Sequence, residues 1–162
     1  MTELHFPSAE PPASAKPRPS TGFVCFMLAG QCYGVAVSGV REVLRPCEVA
    51  WVPGAPGACL GVINLRGHIV SVVDLRQVLG LAQDESSAAN RLLVIDYDDS
   101  MLALKVDRVL ELINIADEEI EATPRMNQTP IPLEGVVTRP QGPLFLLSPA
   151  DLVRRLEDNT HV

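Results

Sequence analysis

Four thiols and three imidazoles are the first groups in this 162-residue chain that could do chemistry: Cys25, Cys32, Cys47 and Cys59, with His5, His68 and His161. A zinc site draws on closely spaced cysteine and histidine pairs. No C-x-x-C pair occurs, and no histidine lies at ligand spacing from a cysteine, so no metal is expected. The histidines are poorly placed as bases: His5 lies in a leader, His161 at the C-terminal end and His68 in a turn facing solvent. Ser38, Ser71 and Ser100 lack the G-x-S-x-G context of a nucleophile elbow. Asp96, Asp98 and Asp99 flank a hairpin turn and do not follow EF-hand spacing. Neither G-x-x-x-x-G-K-[ST] nor G-x-G-x-x-G occurs. Catalysis needs a nucleophile, a base and an orienting group that converge, and no such set is present. The chain is therefore expected to be a non-enzyme with no catalytic residues and no cofactor. A thiol-reactive or small ligand-binding domain using the four cysteines is the competing reading from another class.

The elements that carry these residues are short strands. Phe23 to Leu28 is a strand-length apolar run, Ala29-Gly30-Gln31 turns the chain, and Cys32 to Val37 returns it as a hairpin. Arg91 to Tyr97, the polar turn Asp98-Asp99-Ser100 and Met101 to Val106 make a second hairpin of the same kind. Shifted by 69 residues, the first hairpin lies on the second without a gap, and the match continues: Val40-x-Glu42-Val43 falls on Val109-x-Glu111-Leu112. A shift of 74 lays Gly61-Val62-Ile63 on Gly135-Val136-Val137 and Val70 to Val73 on Leu144 to Leu147. Each copy then leads into a short helix, one starting near Asp74. The other has Ser148 as N-cap, Pro149 at the first helical position and Asp151 three residues after the cap. The order of elements implies two copies of one small β unit, lobe one over about 22–82 and lobe two over about 90–157, joined by a polar connector. A unit of about 60 residues with four or five short strands closes most naturally into a small barrel, which removes exposed edges.

Composition agrees with that frame. Apolar residues make up 47%, enough for a core, and aromatics only 4%, so Val, Leu and Ile must fill it. A net charge of −7 with no cluster of Lys and Arg excludes nucleic-acid binding. No apolar run approaches the ~20 residues of a membrane span, and the N-terminal stretch lacks the pattern of a secretory signal. The expected setting is cytoplasmic, with free thiols. Residues 1–21 hold Pro7, Pro11, Pro12, Pro17 and Pro19 among Ser, Ala and Lys and read as a disordered tail, ahead of a single domain over 22–158.

The most distinctive stretch is Leu60 to Arg76: strand, tight turn, strand, helix start. Gly67 gives the turn backbone freedom, Asn64 can bond nearby backbone, Arg66 stands beside the turn with its planar fork available, and Asp74 caps the helix. This segment resembles the signature of the CheW family, coupling proteins of bacterial chemosensory arrays: a G-x-x-N-L-R-G turn, an apolar strand and D-L-R. Tyr33-Gly34-Val35, Val40-x-Glu42-Val43, the stretch Pro53 to Gly57, Val106-Asp107-x-Val109 and Leu133-x-Gly135-Val136 follow the same pattern in order. The resemblance implies an all-β fold with short helices: two pseudo-repeated five-stranded SH3-like barrels, a groove between them and a C-terminal helix. It implies a non-enzymatic adaptor that binds the cytoplasmic tip of methyl-accepting chemoreceptors and the regulatory domain of a CheA-type histidine kinase. Contacts between adaptors in rings are a further implication, as is recruitment to membrane-associated arrays without insertion. The array's output could be swimming, pilus motility or another response. By the same resemblance Val40, Glu42 and Val43 are receptor-binding residues on one side of the groove, and Leu92, Ala103 and Val109 on the other. Asn64, Arg66 and Gly67 form the signature turn, with Arg66 paired to Glu42. Ala103 departs from the pattern, standing where Gly is frequent.

Overall fold

The computed structural model describes residues 19–55, 57–83, 86–122 and 133–160. Its elements run β1 (Ser20–Leu28), β2 (Gln31–Ala36), β3 (Val40–Leu44), β4 (Cys59–Leu65), β5 (His68–Asp74), α1 (Leu75–Val78), β6 (Arg91–Tyr97), β7 (Ser100–Val106), β8 (Arg108–Ala116), β9 (Leu133–Val137), β10 (Leu144–Leu147) and α2 (Pro149–Thr160). Single 3-10 turns lie at Val37–Gly39 and Asp117–Glu119. Both predicted hairpins are present. Each closes on two residues of positive φ, Ala29 and Gly30 in the first, Asp98 and Asp99 in the second, as the twist of a two-residue hairpin favours.

The strands form two five-stranded sheets, in the orders β8-β1-β2-β10-β9 and β3-β6-β7-β5-β4. This corrects the lobe boundaries: neither lobe is a contiguous half of the chain. The first hairpin pairs with β8 and β10 from the second copy, and the second hairpin with β3 and β5 from the first. The reason lies in two very short links. The 3-10 turn Val37–Gly39 carries the chain from β2 in one sheet to β3 in the other, and Asp107 alone separates β7 from β8, which crosses back. A repeat in sequence marks equivalent units but does not say which copy a strand bonds to.

The duplication itself holds down to single residues. Val40 opposite Ile95 and Glu42 opposite Val94 correspond, at the 69-residue shift, to Val109 opposite Phe26 and Glu111 opposite Cys25. Both pairings skip one residue, Arg41 in β3 and Leu110 in β8, so the same β-bulge occurs twice. The bulges at Leu60 in β4 and Glu134 in β9 are likewise equivalent at the 74-residue shift. Gly61 and Gly135 follow them, each beside an isolated bridge: Ala50 to Val62 and Glu121 to Val136. A Cβ on Gly61, whose φ is +142°, would stand 2.2 Å from the Ala50 carbonyl oxygen; on Gly135 it would stand 2.9 Å from that of Glu121. Both glycines admit a neighbouring backbone.

Burial explains why the hairpin strands read as unbroken apolar runs rather than alternating ones. Phe23 and Cys25 enter a core inside the first sheet with Ile115, Val137, Leu144 and Leu146. Val24, Phe26 and Leu28, on the other face of the same strand, enter a larger core shared with the second sheet through Leu93, Ile95, Leu104 and Val106. On β6, Leu92 and Val94 point instead into the second sheet's own core. Both faces of each hairpin are thus covered. Asp74 caps α1 as expected, its Oδ1 accepting from Arg76 N at 3.0 Å. Ser148 Oγ accepts from Asp151 N at 3.3 Å at the start of α2.

Residues 1–18 of the expected tail lie outside the described residues. Ser20 and Thr21, assigned to that tail, belong to β1, because β8 is long enough to supply Ala116 and Ile115 as their ladder partners. Among the described residues no helix is long and apolar enough to cross a membrane.

Candidate docking surface

The spacing V-x-E-V has a geometric consequence. On a regular strand Val40 and Val43 would face opposite sides. The bulge at Arg41 adds one residue and re-aims those that follow. Val40 then stands opposite Ile95 and Val43 opposite Leu93, both members of the shared core, while Glu42 stands opposite Val94, whose side chain enters the second sheet's own core. Both valines therefore look toward the other lobe and Glu42 looks away. Val40 is half-buried against the shared core and Val43 is 41% exposed.

Glu42 meets Arg66. The turn between β4 and β5 holds Arg66 at φ 50° and Gly67 at φ 87°, and Asn64 Oδ1 accepts from Gly67 N at 2.9 Å. Asn64 thus bonds across the turn to the second of the two residues whose left-handed backbone reverses the chain. Arg66 Nη1 lies 3.2 Å from Glu42 Oε2, with side chains 78% and 19% exposed. Since β3 and β4 are the outermost strands of their sheet, the ion pair links its two edges, as closure into a barrel requires.

The first sheet repeats part of this surface on β8. Val109 is half-buried against the shared core, and Leu112, equivalent to Val43 and opposite Val24, is 43% exposed. Leu112 was not among the residues selected from the sequence, although the shift that lays Val43 on it was available. Leu92 and Ala103 require a correction. They are 4% and 0% exposed, inside the second sheet's core, and offer no docking surface. The alternation along β6 and β7 decides this: Leu93, Ile95 and Leu104 face the shared core, so Leu92 and Ala103 face the opposite way. Trp51 is 74% exposed.

A polar network joins the two copies at the link between β7 and β8. Arg76 of the D-L-R segment grips Asp107 with Nε at 2.8 Å and with Nη2. Arg76 Nη1 donates to Ala82 O, and Ala29 N, in the first hairpin turn, donates to Asp107 Oδ2 at 2.9 Å. The Arg76 hydrogen bond holds the Asp107 carboxyl below its ordinary value, against the opposing effect of burial. A cleft of about 160 Å³ lined by Asp74, Arg76, Asn90 and Lys105 opens beside it. Another, of about 280 Å³, is lined by Pro46, Cys47, Val49, Leu60 and Leu92. Among the described residues no group of three or more His, Cys, Asp or Glu side chains converges on a point that could hold a metal.

To this geometry of duplicated bulged strands is added a match of the CheW-like domain to residues 22–157. The chain belongs to the CheW-like domain family. Among its CheW relatives, the chemotaxis protein CheW of Bacillus subtilis is 32% identical over 116 residues, 70% of this chain and 74% of that protein. The chemotaxis protein CheW of Helicobacter pylori is 29% identical over 102 residues, 63% of this chain and 62% of that protein. The chain thus spans about three-fifths of the Helicobacter relative and three-quarters of the Bacillus one. The scaffolding protein TtCheW of Thermoanaerobacter tengcongensis matches in structure with a TM-score of 0.75 at 27% identity, covering 80% of this chain and 90% of that one. The CheW-like architecture of two five-stranded β lobes is therefore the fold of this chain.

Proposed function

We propose that the chain is a coupling adaptor of a bacterial chemosensory array, without catalytic activity, that holds a chemoreceptor tip and a CheA-type histidine kinase in one complex. The observation that carries this reading is the bulged β3 face, where Val40 and Val43 look toward the other lobe while Glu42 is tied to Arg66. Val109 and Leu112 offer an equivalent apolar edge from β8. An apolar strip of this kind on a soluble domain suits a protein partner, and the receptor tip is the partner assigned to it. The signature turn Asn64–Gly67 orients that surface through the ion pair. The kinase regulatory domain and neighbouring adaptors take other faces of the lobes. The adaptor works in the cytoplasm and reaches the membrane only through the receptors it binds.

The test is reconstitution. Purified chain, receptor-tip fragment and CheA-type kinase from the same source form a ternary complex, and kinase activity rises only when all three are present. Glu42→Arg weakens receptor binding at least tenfold while the thermal midpoint stays within a few degrees. A chain that binds neither partner ends the reading. A collapse of stability in Glu42→Arg removes the docking role from that residue.

A further inference from the structure

One cluster of nucleophilic and charged groups lies outside the docking surface. Cys25 and Cys32 sit on neighbouring strands β1 and β2, and Arg139 follows β9. Arg139 Nη2 donates to Cys32 Sγ at 3.2 Å. Its Nε is fully buried and has no hydrogen-bond partner among the described residues. Arg76 shows what such a fork ordinarily holds: there Nε and Nη2 together grip the two carboxylate oxygens of Asp107. Arg139 presents the same pair of donors, one filled by a sulfur and one empty. A buried donor left unmade is costly, and an oxygen attached to the sulfur would fill it. A guanidinium donor beside the sulfur also stabilises the charge that develops on an oxygen bound to it.

The two thiols of the cluster differ. Cys25 is fully buried, and burial pushes its thiol up to about 12, with the neighbouring charge of Cys32 adding to the rise, that of Arg139 opposing it and that of Glu111 adding a little. Cys25 therefore stays protonated. Cys32 is only half-buried.

We propose that Cys32 is a peroxide-sensitive modification site whose sulfenate is held by the Arg139 fork. The Cys32 sulfur, as thiolate, attacks one oxygen of a hydroperoxide. The S–O bond forms, the O–O bond breaks and sulfur gives up two electrons; the departing hydroxide or alkoxide takes the proton of the new S–OH and leaves as water or alcohol, so that a sulfenate remains. The new oxygen lies beside Nε, so both donors of the fork are used. The proposal stands independently of the adaptor reading.

The full chain is treated with hydrogen peroxide in the presence of dimedone, and the modified peptides are quantified by mass spectrometry. Cys32 is trapped about tenfold faster than Cys47, although Cys47 is the more exposed thiol. Arg139→Gln lowers the Cys32 rate about tenfold with the thermal midpoint followed in parallel, and Arg139→Lys, which keeps the charge, retains most of it. Trapping at Cys47 as fast as at Cys32 in the wild-type chain overturns the proposal, and this comparison requires no variant to fold. So does an unchanged rate in a folded Arg139→Gln protein.

Discussion

Glu42 keeps 19% of its side-chain exposure and Arg66 keeps 78%, and this asymmetry sets what each substitution does. Most of the attraction is screened on the arginine side, so the pair contributes about 0–1 kcal/mol to stability. Under the proposed function, its worth is in fixing where a carboxylate stands beside Val43. The charge-swapped double variant Glu42→Arg with Arg66→Glu should therefore regain part of the receptor binding that Glu42→Arg loses, with all three proteins melting within a few degrees of one another. Titration calorimetry against the receptor-tip fragment checks the first part and thermal melts the second. Asp107 behaves differently. Its carboxyl is lowered from an ordinary 3.8, chiefly by Arg76, so its contribution is present above that value and is lost as pH falls through the lower, folded-state one. Urea unfolding of Asp107→Asn and wild type should show the wild type clearly more stable at pH 7, with the gap closing below about pH 4. A gap that does not depend on pH would mean that the carboxylate charge plays no part.

Local chemistry was readable wherever it repeats a local rule. Both hairpins, the Asp74 and Ser148 caps and the turn at Asn64–Gly67 follow from turn residues and apolar runs. The bulge at Arg41 was not readable, because a bulge leaves no composition of its own. Only its result, an apolar spacing of three in a strand, hints at it. Without the bulge, nothing in the spacing explains why Val40 and Val43 share a face. Missing the two-faced burial of β6 and β7 misplaced Leu92 and Ala103, since a run apolar on every position carries no phase. The two bridge glycines test the element argument directly. Gly61→Ala meets the Ala50 carbonyl at 2.2 Å in a backbone conformation suited to glycine, whereas Gly135→Ala meets Ile120 Cγ2 at 2.6 Å and the Glu121 carbonyl at 2.9 Å. Strain at such a φ costs about 1–3 kcal/mol before any clash is counted. Chemical denaturation should find Gly61→Ala destabilised by more than about 3 kcal/mol and Gly135→Ala by less, as a methyl group at Ile120 can turn aside.

The exchange of strands between the two copies governs the molecule as a whole. Each sheet takes two strands from one copy and three from the other, and the largest core draws residues from both sheets. Neither copy can complete a barrel alone: residues 19–83 supply β1 and β2 without β8 and β10, and β3, β4 and β5 without β6 and β7. Cut in the connector, each half exposes unpaired strand edges and an uncovered hairpin face, so each should be unfolded or aggregated by itself. The halves remain complementary, because every missing partner of one is present in the other. Mixed from denaturant, or expressed together, they should recover the wild-type circular dichroism spectrum and co-elute at the size of the intact chain. The uncut chain should melt in one transition by calorimetry, since a shared core couples the two lobes. Two contiguous lobes would behave in the opposite way, with each half folding alone and the intact chain melting in two steps. Any single folded half would therefore contradict the exchange, and with it the shared core that Val43 on β3 and Leu112 on β8 both border.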